Sequence, residues 1–154
     1  MENADCLQAV NAYWSREGLG QTILDSLVAT GENSDALIIE NLAPVDQFHA
    51  GGKGATKGLA ELVDISRNAT VLDVVCGLGG PARTLAALFG CKVTVIDLSE
   101  SYVGTAEILT GRVGLGDQVE CHVGNASELP YDEGAFEVVW TQKAGMNIGD
   151  KEQL

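Results

Sequence analysis

The hydrophobic pattern of this chain changes character near residue 70. Before it, Leu7, Val10 and Trp14, and then Ile23, Leu24, Leu27 and Val28, recur at three- to four-residue intervals, which places them on one face of a helix. Gly18 and Gly20 interrupt that stretch, so two helices are expected between residues 4 and 30. The cluster Gly31-Glu32-Asn33-Ser34-Asp35 reads as a turn. A short apolar piece, Leu37–Leu42, follows and is expected to break before Pro44, because proline drives its predecessor out of helical backbone. Phe48-His49-Ala50-Gly51-Gly52-Lys53-Gly54 is glycine-rich and reads as loop, and Leu59, Leu62 and Val63 predict a helix over 55–65.

After residue 70 short β-branched runs alternate with helical patterns. Strands are predicted at Thr70–Val75, Lys92–Ile96, Gln118–Val123 and Phe136–Trp140, with helices at Pro81–Phe89 and Ser99–Val113, the second capped by Ser99. Alternating strands and helices mean an α/β fold with a parallel sheet and right-handed crossovers. Asp150–Leu154 read as the first turn of a further helix. Two regions are expected: a helical cap with its glycine-rich loop over 1–52, and an α/β core over 53–154.

Composition narrows the class. A chain of 154 residues fits one domain, and 45% hydrophobic with 20% charged residues is a globular balance. No apolar run approaches the ~20 residues of a membrane span, and the acidic start lacks the order of a signal peptide. No membrane partner and a cytoplasmic location are therefore expected. The net charge of −13 repels polyanions, which argues against a nucleic-acid partner. Cys6, Cys76, Cys91 and Cys121 form no C-x-x-C pair, and His49 and His122 lie far apart, so reduced thiols and no metal are expected.

The chemistry concentrates after the first strand of the core. Val71-Leu72-Asp73-Val74-Val75-Cys76-Gly77-Leu78-Gly79-Gly80-Pro81 runs from a buried strand through a glycine loop into a helix. Such a loop lets a ligand approach the backbone where no Cβ intervenes. Gly77, Gly79 and Ala82 also satisfy the G-x-G-x-x-A spacing of dinucleotide enzymes. Asp97 closes the second strand, 20 residues after Gly77, where an acid accepts hydrogen bonds from ribose hydroxyls or caps the next helix. At this point a nicotinamide dinucleotide and S-adenosylmethionine (SAM) fit equally well.

A third feature separates them. Gly124-Asn125-Ala126-Ser127-Glu128-Leu129-Pro130-Tyr131, followed by Phe136-Glu137-Val138-Val139, resembles the pattern G-[DN]-A-x-x-L-P-[FY] then F-[DE]-V-V of class I SAM-dependent methyltransferases, as D-V-x-C-G-x-G-G does in the first loop. The chain is similar to small-molecule methyltransferases such as sarcosine/dimethylglycine and phosphoethanolamine N-methyltransferases, also through Asp46–Gly52 and Trp140–Ile148. The resemblance implies a Rossmann-like three-layer sandwich of strand order 3-2-1-4 under an N-terminal helical cap. It implies SAM as cofactor and a small-molecule methyl acceptor, an amine or related metabolite. Asp73, Gly77 and Gly79 would hold the methionine part of SAM and Asp97 the ribose, with Leu98 against the adenine. Asn125 would meet the adenine amino group and Ala126 the ring through its N–H, while Gln142 and Lys143 would lie near the sulfonium. His49 is a candidate for the substrate side, although a histidine among glycines often serves only to hold a loop.

The chain departs from that pattern in three places. Val75 stands where the family has its first glycine; a β-branched side chain disfavours positive φ, and weaker SAM binding is expected. Lys143 stands where histidine is frequent. Four strands against the family's seven lead to the expectation of an incomplete sheet, from a truncated product, whose exposed fourth strand invites self-association. A non-catalytic, partner-binding module is the alternative from another class.

Overall fold

The computed structural model describes residues 8–148, residues 10 and 14 excepted. The expectations for Leu7, Val10, Trp14 and the terminal helical turn fall outside the described residues. Four strands, β1 (Thr70–Val74), β2 (Lys92–Asp97), β3 (Val119–Val123) and β4 (Val138–Trp140), form one sheet. Its order is β3-β2-β1-β4 and every pairing is parallel. This is the order expected from the sequence. β4 is shorter than its sequence pattern suggests, because Phe136 leaves the strand to meet Tyr131 edge-on, ring centroids 5.0 Å apart.

Side chains alternate across a strand, so each sheet face carries its own residues. Val71, Val93, Val95 and Val119 face one way and pack against Ala82, Leu85 and Ala86 of α4 (Gly80–Phe89). Leu72, Val74 and Ile96 face the other way, where Leu129, Tyr131 and Phe136 from the β3–β4 connection pack on them. The helix α5 (Glu100–Arg112) begins at Ser99, whose hydroxyl accepts from the Tyr102 N–H at 3.3 Å. That is the predicted cap.

The region before the sheet contains α1 (Leu19–Ala29), α2 (Ile39–Asp46) and α3 (Gly52–Ala60). Ile23, Leu24 and Leu27 of α1 join Leu37, Leu42, Leu78 and Leu109 in a second core, so the cap is packed onto the back of the glycine loop. Two expectations need correction here. Pro44 lies inside α2: it removes one hydrogen bond from an eight-residue helix whose start is closed by the Asn41 side chain accepting from the Ile38 N–H at 2.8 Å, and whose Leu42 is wholly buried. The helix predicted over 55–65 instead runs Gly52–Ala60. Leu62 is 82% exposed and Leu59 is exposed, whereas the buried face is Thr56 and Ala60. Gly51, in the left-handed region at φ 89°, turns the chain into this helix. Among the described residues no helix is long and apolar enough to cross a membrane.

Candidate functional site

The C-terminal ends of β1, β2 and β3 open into a cavity of roughly 1180 Å³, the crevice where open α/β sheets bind ligands. Asp73, Val75, Cys76 and Gly77 reach it from β1 and its loop, Asp97 and Leu98 from β2, Asn125 and Ala126 from β3, and Gln142 and Lys143 from beyond β4. The cap contributes His49 and Phe48. The structure therefore brings together the predicted site residues except Gly79, which turns the chain into α4 as its N-cap at φ 75° and does not line the cavity.

Gly77 is shaped for a close approach. Its φ is 56°, and a Cβ placed there would meet no atom within 4 Å, so the space beside it is open. Its N–H donates to Asp97 Oδ2 at 2.9 Å, while Asp97 Oδ1 accepts from the Ser99 N–H at 3.0 Å. Asp97 thus both hooks the glycine loop and caps the turn after β2, and each oxygen keeps a lone pair for a ligand hydroxyl. Burial pushes its carboxyl up, and the N–H groups of Ser99 and Gly77 oppose that push. Asn125 Oδ1 accepts from the Ser127 N–H at 3.0 Å, which fixes the carboxamide and leaves its NH₂ free to orient toward a ring.

Asp73 is 2% exposed and Oδ2 has no hydrogen-bond partner. Burial, with the Asp97 charge adding to it, pushes this carboxyl up to about 8. The neighbouring Cys76 thiol is driven well above its ordinary value, chiefly by burial. Val75 adopts φ 60°, in the left-handed region that a β-branched residue disfavours. The expected conflict between its β-branched side chain and a positive φ is therefore present, and the loop keeps the strained backbone.

His49 sits in a chain of amides. Its Nε2 lies 3.1 Å from Gln47 Oε1 and its Nδ1 3.4 Å from Gln142 Nε2, an arrangement satisfied by the neutral Nε2–H tautomer with Gln142 donating. Thr56 Oγ lies 3.1 Å from both Gln47 Oε1 and Gln142 Oε1. The cap, α3 and the segment after β4 are thereby linked at the cavity wall. Lys143, at φ 59°, is exposed on that wall.

Sequence reasoning missed Arg83. Only 1% exposed, it donates through Nη2 to Asp46 Oδ2 at 2.8 Å and to the Leu78 carbonyl at 2.6 Å, and through Nη1 to the Ala106 carbonyl and Thr110 Oγ at 3.2 and 3.1 Å. One guanidinium ties the glycine loop to α2 and α5. The available signal was an arginine on the apolar stripe of a short helix, Ala82, Leu85 and Ala86, where an unpaired charge could not stay. A Cβ on Gly80 would fall on the Asp46 carbonyl, so that glycine is required by the cap rather than by a ligand.

Comparison with known proteins decides what such a cavity belongs to. The family described as methyltransferase domain matches residues 71–154, more than half of the chain. The chain belongs to this methyltransferase family. The methyl donor of the family is SAM, which settles the choice that the G-x-G-x-x-A spacing alone left open. The chain is 34% identical over 111 residues to a glycine/sarcosine/dimethylglycine N-methyltransferase of Actinopolyspora halophila, covering 72% of this chain and 20% of that protein. It is 32% identical over 145 residues to a 2-methyl-6-phytyl-1,4-hydroquinone methyltransferase of Synechocystis sp., covering 92% and 43%. Among solved structures, a geranyl diphosphate C-methyltransferase from Streptomyces coelicolor superposes with a TM-score of 0.66 at 18% identity, over 93% of this chain and 55% of that one. A Haemonchus contortus phosphoethanolamine N-methyltransferase 2 in complex with SAM gives 0.64 at 23%, over 71% and 26%. These two establish the shared methyltransferase fold. The chain spans 20% to 40% of the length of the first three curated relatives it matches.

Proposed function

We propose that this chain binds SAM in the cavity at the ends of its strands and carries the methyl group to a small-molecule acceptor, an amine or related metabolite. The observation that carries this reading is Asp97: its carboxylate holds the Gly77 N–H and faces the same cavity as Asp73 and Asn125, the spatial arrangement a nucleoside with a charged tail requires. In this reading Asp97 takes the ribose hydroxyls, Leu98 and Ala126 border the adenine, Asn125 meets its edge, and Asp73 with the Gly77 backbone holds the methionine part.

The sulfonium methyl is already activated when SAM is bound, so what remains for the protein is to align the acceptor in line and exclude water. An amine acceptor must reach the methyl uncharged. Gln142 and Lys143 border the place where it would arrive, and His49, with both ring nitrogens engaged by amides, acts through Gln142 as a positioning group. Amine relatives such as the Actinopolyspora enzyme support the acceptor class.

Calorimetric titration with S-adenosylhomocysteine (SAH) tests the cofactor assignment. One-to-one micromolar binding is expected, with no heat from NAD; a folded chain that takes NAD and ignores SAH would overturn it. A second reading, self-association through β4, is favoured by one observation: Val139 on this edge strand is 63% exposed. Light scattering across a concentration series tests it, and a constant monomer mass would sink it.

A further inference from the structure

The cavity of roughly 1180 Å³ exceeds the ~300–1,000 Å³ of a usual ligand pocket, so it has room for an acceptor beside the cofactor. The charges around it are unevenly placed. Among the described residues four acids line it, Asp46, Asp73, Asp97 and Glu128. Asp46 is held by Arg83 Nη2 at 2.8 Å, Asp73 and Asp97 belong to the cofactor end in the reading above, and Glu128 follows Asn125 in the connection after β3. The cations are Arg16 and Lys143. Arg16 is fastened to the start of α5, its N–H donating to Ser101 Oγ at 3.1 Å, close to the Asp97 turn. Lys143 is the charge on the wall beyond β4, and none of the ion pairs among the described residues includes it.

The backbone holds Lys143 in that place against its own preference. Its φ is 59°, a left-handed conformation unfavourable for a residue with a side chain and kept only where the surroundings impose it. They do so from both sides: Gln142 is tied to Thr56 Oγ at 3.1 Å and to His49 Nδ1 at 3.4 Å, and Ala144 is buried. The lysine between them is exposed. Phe48, 67% exposed, and Met146, 76% exposed, line the same cavity, and apolar surface open at a cavity is characteristic of a ligand-binding groove. A protonated amine meets nothing suited to it on this wall. The lysine ammonium has no lone pair, and both ring nitrogens of His49 are engaged by amides.

We propose that Lys143 receives an oxyanion of the methyl acceptor, and that the acceptor is a small molecule carrying a carboxylate or phosphate on an apolar body. The inference rests on the SAM reading above and narrows its acceptor class: where the nucleophile is an amine, it is one uncharged at neutral pH by its own chemistry, such as an arylamine. The ammonium makes charge-assisted hydrogen bonds to the oxyanion, while Phe48 and Met146 cover the apolar body.

The test is calorimetry of the full chain, first with SAH and then, on the SAH-loaded chain at low salt, with four probes. Phenylacetate, 2-phenylethanol and 2-phenylethylamine share a ring and differ in charge; acetate keeps the anion and lacks the ring. Phenylacetate is expected to bind at least about tenfold tighter than the alcohol or the amine, and about tenfold tighter than acetate. Lys143→Gln should bring phenylacetate down to the level of the alcohol, and Lys143→Arg should keep the preference. An SAH-loaded chain that favours the amine, treats the probes alike or binds none of them would overturn the inference and leave the cofactor assignment standing. So would a Lys143→Gln chain that loses SAH affinity but keeps the probe preference, which would give the lysine to the cofactor's own carboxylate. Failure of SAH to bind would overturn both readings together. The probe series on the wild-type chain decides the charge preference even if a variant does not fold.

Discussion

At the scale of single residues, Val75 is the position where local preference and observed backbone disagree most. A left-handed conformation costs an L-residue roughly 1–2 kcal/mol, and Val75 adopts φ 60° with a branched Cβ beside the cavity. Val75→Gly removes that cost but also some packing against Leu72, Val74 and Ile96 and adds chain entropy. The backbone relief of about 1–2 kcal/mol and the opposing entropy and packing losses are of similar size, so a change within about 1 kcal/mol is expected in urea unfolding, with tighter SAH binding by calorimetry. Lower stability together with unchanged affinity would show that the side chain contributes more through packing than its backbone costs. Asp97→Asn makes a sharper claim: a carboxamide cannot accept from both Gly77 and Ser99 N–H groups, so SAH affinity should fall at least about tenfold. Both positions are legible in the amino-acid sequence, where a motif residue out of place and an acid twenty positions from a glycine stand in plain view. The state of His49 is not, because beside its near neighbour Gln47 its partners Thr56 and Gln142 are brought to it by α3 and by the segment after β4.

At the scale of elements, the β-branched strands of the core were readable because Val71, Val93 and Val119 repeat the same buried role in register. The cap was harder to read. Pro44 and Gly52–Gly54 carry local signals for loop, and tertiary packing of Leu42, Thr56 and Ala60 overrode them. The Asp46–Arg83 pair joins residues 37 apart and leaves no local trace at all. Its energetic weight is in its burial. Arg83→Met would strand the Asp46 carboxylate and the Leu78 carbonyl, and a loss of about 3–5 kcal/mol is expected. Adding Asp46→Asn should recover part of that loss, because the stranded charge is then gone. Urea unfolding of both variants checks this; equal stability of the single and double variants would mean the pair is not coupled.

For the whole molecule, the acid at the heart of the site sets a trend with pH. The Asp73 carboxyl rises from its ordinary 3.8 to about 8 on folding, so between those values the folded chain binds more protons than the unfolded one. Its contribution to stability therefore declines as pH rises through that window, by at most ~1.4 kcal/mol per unit. A ligand cation cancels the penalty, so the rise in Tm produced by saturating SAH should be larger at pH 8 than at pH 6; a pH-independent rise would contradict this. The parallel sheet was foreseeable from the alternation of strands and helices and its order from the family resemblance, whereas the placement of this acid between Val95 and Trp140 required the register. That register has an optical consequence. The chain has two tryptophans, and Trp140 is buried directly beside Asp73. With Trp14→Phe as background, the emission of this single indole becomes an internal electrometer: a negative charge appearing next to the ring displaces its spectrum, so the colour of the fluorescence reports whether the carboxyl is charged, in real time and without a label.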